Sequence, residues 1–240
     1  MPVLSDVNIL LAGYDRSGDH NAISIARDRD ELDDTTFGSV GDRDFVVGIH
    51  TAQVEGKGRH TAGVGSIDEQ IETVWPLAAQ VITISSQGGA DGDNADILAE
   101  IHSGSYEFGG AIGEILPFNL SAKVTGPAPR GTIMHNASRA TSGNGTARQL
   151  GAVLSGQTIA ASLHVLSVSG TSPTLDVTIE SDAVSGMTSP LTQLTFTQAT
   201  AIEGQFLTKV GAITDDWWRV AYTVGGTSPS FTFLVAIGIR

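Results

Sequence analysis

The residues with the most evident chemical potential are the oxygen-bearing run Asp91-Gly92-Asp93-Asn94-Ala95-Asp96. Hard cations take clustered carboxylate and carbonyl oxygens, so the run invites a calcium reading. The helix-loop-helix calcium template fails on it. Ala95 stands where a third ligand is needed, Asp96 replaces the turn glycine, and His102 replaces the bidentate glutamate. A solvated acidic turn and a calcium loop of another kind both stay open, and no residue is assigned as a metal ligand. Trp217-Trp218, after Asp215-Asp216, is the other conspicuous pair. Adjacent strand residues point to opposite faces, so one tryptophan belongs to a core and the other to an exposed or interface position. An exposed indole can anchor a partner or stack on a sugar ring. Trp217, Trp218, Tyr222, Phe231 and Phe233 are the candidate core or interface aromatics. His50, His60, His102 and His164 show no recurring ligand spacing and read as ordinary polar or strand residues. The chain has no G-x-S-x-G elbow, H-E-x-x-H, Walker A or G-x-G-x-x-G motif. With no catalytic constellation and no cofactor-binding motif, the expectation is a protein that is not an enzyme and uses no cofactor.

Charge adds a second exclusion. Residues 1–120 carry 20 Asp/Glu against 6 Lys/Arg, a balance of −14, whereas residues 121–240 carry 6 against 7. Phosphate binding needs Lys and Arg, so this chain does not hold nucleic acid by attraction, although it can surround and repel it. The acidity is densest between Asp28 and Asp44. Asp28, Asp30, Glu31, Asp33, Asp34, Asp42 and Asp44, with Phe37 among them, stand against Arg27, Arg29 and Arg43. The stretch is aperiodic and reads as a long exposed loop, either simply solvated or docked on a neighbouring subunit, since both signs of charge allow cross-subunit pairing. The 240 residues contain no cysteine, so no disulfide staples the fold. The start lacks a basic, apolar leader, and nothing approaches the ~20 apolar residues of a membrane span.

The elements that must carry these residues are mainly strands. Val7–Ala12, 21–26, Phe45–Glu55, Gln80–Ser85 and Leu116–Val124 fit strands, the last stopped by Gly126-Pro127. Ser66-Ile67-Asp68-Glu69 is a capping box opening one short helix, with Ile67, Ile71 and Val74 on one face and Pro76 as its stop. Asn94–Ile101 reads as a second short helix and 136–146 as a polar loop. Leu175–Ile179, Trp218–Val224 and Phe231–Ile239 alternate cleanly as half-buried strands, the last two joined by a hairpin loop at Gly225–Ser230. Gly170-Thr171-Ser172-Pro173-Thr174 echoes that loop. The class is mainly β, a β-sandwich or barrel with one short accessory α-helix. The chain reads as one unit over 1–240, with a C-terminal β-lobe from about residue 150 left open.

Several phrases, taken in order, resemble the major tail (tail tube) proteins of long-tailed, siphovirus-like phages. They are Ala12-Gly13-Tyr14-Asp15 with Leu32-Asp33-Asp34-Thr35-Thr36-Phe37-Gly38, then Tyr106-Glu107 and Gly113-Glu114-Ile115-Leu116-Pro117-Phe118. Leu163-His164-Val165, Val168-Ser169-Gly170, Asp216-Trp217-Trp218-Arg219-Val220-Ala221-Tyr222 and Gly226-Thr227-Ser228-Pro229-Ser230-Phe231-Thr232-Phe233 complete the likeness, which runs through nearly the whole chain. It implies a sandwich flanked by a helix, whose sheets join those of neighbouring copies in a continuous inner barrel. It further implies homo-hexameric rings stacked into a hollow tube, a loop bridging to the next ring, and DNA passing without specific binding. Other phage tail proteins are then partners, and the protein belongs to the virion after assembly in the host bacterial cytoplasm. The alternative is a virion-surface or tail-fibre β-sandwich that binds a host glycan through Trp217 or Trp218.

Overall fold

The structure is a computed structural model and describes residues 6–35, 43, 45–63, 65–73 and 80–240. Among them the chain order is β1 (Asn8–Leu11), β2 (Tyr14–Asp15), β3 (His20–Asp33), β4 (Phe45–Arg59), α1 (Ile67–Thr73), β5 (Gln80–Ser85), β6 (Asn94–Phe108) and β7 (Pro117–Val124). It continues with β8 (Arg130–Arg139), β9 (Gly143–Asn144), β10 (Arg148–Gln149), β11 (Thr158–Asp182), β12 (Leu191–Thr195), β13 (Glu203–Val210) and β14 (Trp217–Ile239). The chain is mainly β with antiparallel pairing and one short helix. It divides into two compact units, one of residues 1–18, 78–100 and 126–240, the other of residues 19–77 and 101–125.

The larger unit is built on a ribbon of β11 and β14, paired from Ile159↔Ile239 to Asp182↔Trp217. The ribbon is folded. Eleven extended residues span about 36 Å, yet the rings of Tyr222 and Phe233 pack edge to face at 5.4 Å. The fold point is where the two echoing phrases meet. Register shifts occur at Ser169/Thr171 and Thr171/Thr174, with Thr171 opposite Thr227 and Thr174 opposite Gly225. Gly170 (φ 110°) lies against the backbone of Thr227–Pro229, and Gly226 (φ 112°) lies against that of Thr171–Pro173, so each phrase cradles the other. The expected hairpin at Gly225–Ser230 is therefore corrected. The chain does not reverse there but continues as β14 around a corner, because glycine at positive φ serves a corner as well as a turn.

Folding brings both halves of the ribbon onto one core. Leu163, Val165, Phe233 and Val235 from one half meet Val177, Ile179, Trp218, Val220 and Tyr222 from the other. β13 pairs with the first half of β11 and β8 with the second half of β14, while β12 and the short β9 and β10 flank the opposite halves. The second half of β14 is buried on both faces. Its alternate residues Leu234 and Ala236 pack with Leu10, Ala95, Ile97 and Ile133, which is why Phe233–Ile237 is an unbroken apolar run.

Asn94–Ile101 forms part of β6 rather than a helix. Ala95, Ile97, Leu98 and Ala99 are all buried, and two-sided burial erases the alternation that marks a strand. Asn136–Arg139 is likewise strand, opposite Phe231–Leu234, rather than loop. Its polarity reflects an exposed strand end.

A buried polar chain links β11, β5 and the turn between β1 and β2. The Gly13 N–H donates to His164 Nδ1 at 3.2 Å, His164 Nε2 lies 2.9 Å from Thr83 Oγ1, and Thr83 Oγ1 lies 2.8 Å from Ser162 Oγ. Nδ1 accepts from a backbone donor, so the neutral ring carries its proton on Nε2 and donates to Thr83. Complete burial pushes the His164 pKa down to about 3.

The smaller unit is a sheet in the order β3-β4-β7, followed by the Ile101–Phe108 half of β6. The helix α1 packs on one face, with Ile67 and Ile71 against Phe118, Leu120 and Tyr106. Ser66 caps it, its Oγ accepting from the Glu69 N–H at 3.2 Å. Glu69 answers one residue further back than a strict capping box, accepting from the Gly65 N–H. His60 ties helix to sheet. Its ring stacks on Phe108 at 4.4 Å, and its Nδ1 lies 2.8 Å from the Tyr106 hydroxyl and 3.8 Å from Asp68 Oδ1. Partial burial, and then the charge of Asp68, raise the Tyr106 pKa to about 12.

Candidate assembly surface

The smaller unit presents a face, two edges and a projecting ribbon. Cross-strand register assigns each residue of its sheet to a face. Val54, Ala122 and Phe118 point to the helix side and are buried. The alternate residues point away from the helix. They include Ser24 and Ala26 on β3, Gln53, Glu55, Lys57 and Arg59 on β4, Pro117, Asn119, Ser121 and Lys123 on β7, and Ser105 and Glu107 on β6. Apart from Pro117 at the start of β7, none of these side chains is apolar beyond the methyl of alanine. Its two carboxylates, Glu55 and Glu107, stand against Lys57, Lys123 and Arg59. Gln53 Nε2 donates to Ser121 Oγ at 3.0 Å and to Glu55 Oε1 at 3.1 Å, which holds the centre of the face flat.

Among the described strands β3 pairs with β4 alone, and the Ile101–Phe108 half of β6 pairs with β7. The two lateral edges of this sheet thus belong to β3 and β6. Long edges are templates for pairing with another chain unless something covers them.

The acidic segment expected as a loop is strand as far as Asp33. The pairing of β4 with β7 ends at Ala52↔Val124, whereas β3 and β4 continue through Asp28↔Thr51, Arg29↔His50, Glu31↔Val47, Leu32↔Val46 and Asp33↔Phe45. The result is a two-stranded ribbon. Strong charge hid it from the sequence, because nothing in the segment alternates apolar with polar. Asp28, Asp30, Glu31, Asp33 and Asp34 are all exposed, as are Leu32 (59%), Phe45 (53%) and Val46 (50%). An isolated two-stranded ribbon is marginal in water, and apolar residues exposed on both of its strands mark a contact surface. Arg43 lies 4.0 Å from Asp33, whose pKa is lowered by hydrogen bonds from Thr35. Phe37, Asp42 and Asp44 lie outside the described residues.

The aromatic candidates lie in the larger unit. Trp218, Phe231 and Phe233 are fully buried and Tyr222 nearly so. The Trp218 indole N–H donates to the Gly151 carbonyl at 2.9 Å, so Trp218 offers no platform to a sugar. Trp217 is half-buried, opposite Asp182 and Gln149. A shallow groove nearby is lined by Asp176, Glu180 and Tyr222. Its carboxylates are already engaged, Asp176 by Gln198 and Glu180 by Arg219 at 2.7 Å.

The Asp91–Asp96 run spends its oxygens on backbone. Asp91 Oδ1 accepts from the Asn136 N–H at 2.6 Å, Asp93 Oδ2 accepts from the Ala90 N–H at 2.8 Å, and Asp96 lies 3.9 Å from Arg130. Among the described residues no group of three or more His, Asp or Glu is placed to hold a metal ion. The sheet face and its edges escaped sequence reasoning, because they are defined by register and not by residue type.

No protein-family model and no curated protein matches the chain. Solved structures do. A chain in the virion of a native gene transfer agent particle is 15% identical, with a TM-score of 0.40, over 50% of this chain and 93% of its own. The SPP1 tail tube chain is 13% identical, with a TM-score of 0.42, over 53% of this chain and 77% of its own. The SPP1 Dit protein, of the hub adsorption apparatus in phages that infect Gram-positive hosts, is 10% identical, with a TM-score of 0.36, over 98% of this chain and 100% of its own.

Proposed function

We propose that this protein is a non-catalytic tail-tube subunit. Six copies close into a ring, rings stack into a hollow tube, and DNA passes through it without specific binding. The observation that carries this reading is the four-stranded sheet of the smaller unit, with a helix on one face, polar and charged residues on the other, and β3 and β6 at its edges.

Four is an even number, so β3 of one copy and β6 of the next run antiparallel, and the alternation of strand direction carries across the seam. Head-to-tail edge pairing repeated by rotation closes into a ring and leaves no edge exposed. Six copies give about 24 strands. At ~4.8 Å each these make a barrel about 37 Å across before strand tilt widens it. Less a layer of side chains, that bore passes a nucleic-acid duplex. The helix face then turns outward and the polar face lines the bore. Both units belong to one subunit in this reading, and the Asp28–Asp44 segment reaches a neighbouring copy. The protein is accordingly a virion component assembled in the host cytoplasm, with itself and other tail proteins as partners.

Negative-stain microscopy of the purified protein tests this directly. Rings or long hollow tubes with six-fold averages are expected. Protein that stays monomeric at high concentration, alone and with isolated tail ends, sinks the reading.

A further inference from the structure

The loop between β6 and β7, residues 109–116, is poor in charge and rich in exposed apolar surface. Ile112 is wholly exposed (107%), Ile115 is 74% exposed, and Phe108 at the foot of the loop is 54% exposed. The loop is shaped locally. The Glu114 N–H donates to the Ala111 carbonyl at 3.2 Å, and Gly113 takes a positive φ of 93°, so Ile112 stands at the tip of a tight turn. The legs are tied to the sheet, the His60 N–H donating to the Leu116 carbonyl at 2.8 Å and the Gly109 N–H to the Pro117 carbonyl at 3.4 Å. Three large apolar side chains held together in this way form a contact surface, unlike apolar residues scattered singly.

Register puts this loop and the projecting ribbon at opposite ends of the same strands. Arg59↔Pro117 and Phe108↔Phe118 mark the loop end. Ala52↔Val124 marks the other, beyond which β3 and β4 continue to Asp33↔Phe45. All copies in the proposed ring point the same way, so one rim carries every β6–β7 loop and the other every ribbon. The ribbon extends ~23 Å past Ala52 and the loop up to ~13 Å past the sheet, lengths that overlap where one rim meets the next. Both ends are apolar, Leu32, Phe45 and Val46 being exposed on the ribbon. Residues 109–116 hold one carboxylate, Glu114, and no Lys or Arg, so the loop offers no cation to a lipid phosphate. We infer that the β6–β7 loop is the ring-to-ring docking surface, with Phe108, Ile112 and Ile115 of one copy covered by Leu32, Phe45 and Val46 of a copy in the next ring. The contact is heterologous, so it propagates and gives the tube two unlike ends. The inference rests on the tube reading and supplies the surface on which the neighbouring chain lands.

The chain has no cysteine, so introduced thiols report this contact alone. Within one copy positions 46 and 112 are ~40 Å apart along the strands, and every link between them joins two copies. Full-length V46C, I112C and V46C/I112C are assembled, treated with a short bis-maleimide and run on denaturing gels. We expect the double variant to give a ladder well beyond the dimer, the two single variants mixed to stop at dimers, and each single variant alone to stay monomeric. A double variant that forms tubes yet gives no ladder overturns the inference, as does I112C linking to itself. I112D/I115D changes exposed positions only, and should form rings in negative stain but lose tube length at least ten-fold. Tubes of wild-type length from that variant overturn the inference as well. Any of these results with wild-type tubes present leaves the tube reading intact, whereas wild-type protein that never oligomerises removes both.

Discussion

His164 is fully buried, with both ring nitrogens engaged, and its neutral form is the one the site accommodates. In the unfolded chain an imidazole titrates near 6.5, and in the folded chain this one titrates near 3. Between those values the unfolded state holds the extra proton. Stability is therefore full above about pH 6.5 and falls as the pH drops toward 3, by up to about 1.4 kcal/mol per unit. His164→Gln keeps hydrogen-bonding groups and removes the titration. We expect it to cost about 1–3 kcal/mol at pH 7, and expect its deficit against wild type to shrink steadily from pH 6.5 to 4.5 in urea unfolding. A deficit that stays constant over that range would show that His164 is not the titrating group. His135 acts in the same direction. It is buried between Tyr222 and Phe233, neither ring nitrogen has a hydrogen-bond partner among the described residues, and burial lowers its pKa. The sequence marked neither residue. Histidine chemistry is set by what surrounds the ring, and Gly13, Thr83 and Ser162 come from distant parts of the chain.

At the scale of elements, legibility followed the number of buried faces. β7 was readable because Phe118, Leu120 and Ala122 face the core while Asn119 and Lys123 face out. The helix cap was readable because Ser66 and Glu69 act locally. β6 failed because its first half is buried on both sides, and β3 failed beyond Ala26 because its ribbon is exposed on both sides. The corner between β11 and β14 failed for another reason. A hairpin turn and a ribbon corner both need glycine at positive φ, and only the register of Thr171 with Thr227 distinguishes them. A Cβ at Gly170 would sit 2.8 Å from the Ser228 carbonyl oxygen, and one at Gly226 would sit 2.7 Å from that of Ser172. Gly170→Ala and Gly226→Ala should each cost about 1–3 kcal/mol, which lowers Tm by about 2–12 °C. Because each glycine packs on the other's phrase, the double variant should cost less than the sum. Thermal melts of the four proteins measure this. Strict additivity would mean that the two phrases act as independent turns.

At the scale of the whole molecule, the acidity of the first 120 residues has a location that counting alone did not give. An acidic stretch facing the bore was one reading of the charge balance. Register makes the flat face of the four-stranded sheet nearly balanced, Glu55 and Glu107 against Lys57, Lys123 and Arg59, while Asp28 to Asp34 lie on the ribbon. In the proposed tube, a wall of serine, asparagine and nearly matched charge neither strongly attracts a polyanion nor concentrates cations beside it. It suits passage better than an acidic wall, whose benefit would in any case end within a Debye length of about 8 Å. This makes the balance testable. E55K/E107K leaves the backbone of both edge strands and the helix face unchanged and turns the face into one with four lysines and an arginine per copy. Each lysine near the duplex replaces condensed counterions, so retention should be strong at low salt and weaken steeply as salt rises. Particles carrying the variant should have tubes of normal length and release DNA several-fold more slowly than wild type at about 50 mM salt. The difference should close toward 0.5 M. Release at the wild-type rate at low salt, from particles with intact tubes, would mean that this face does not line the DNA path, and the bore would have to be sought on another surface of the subunit.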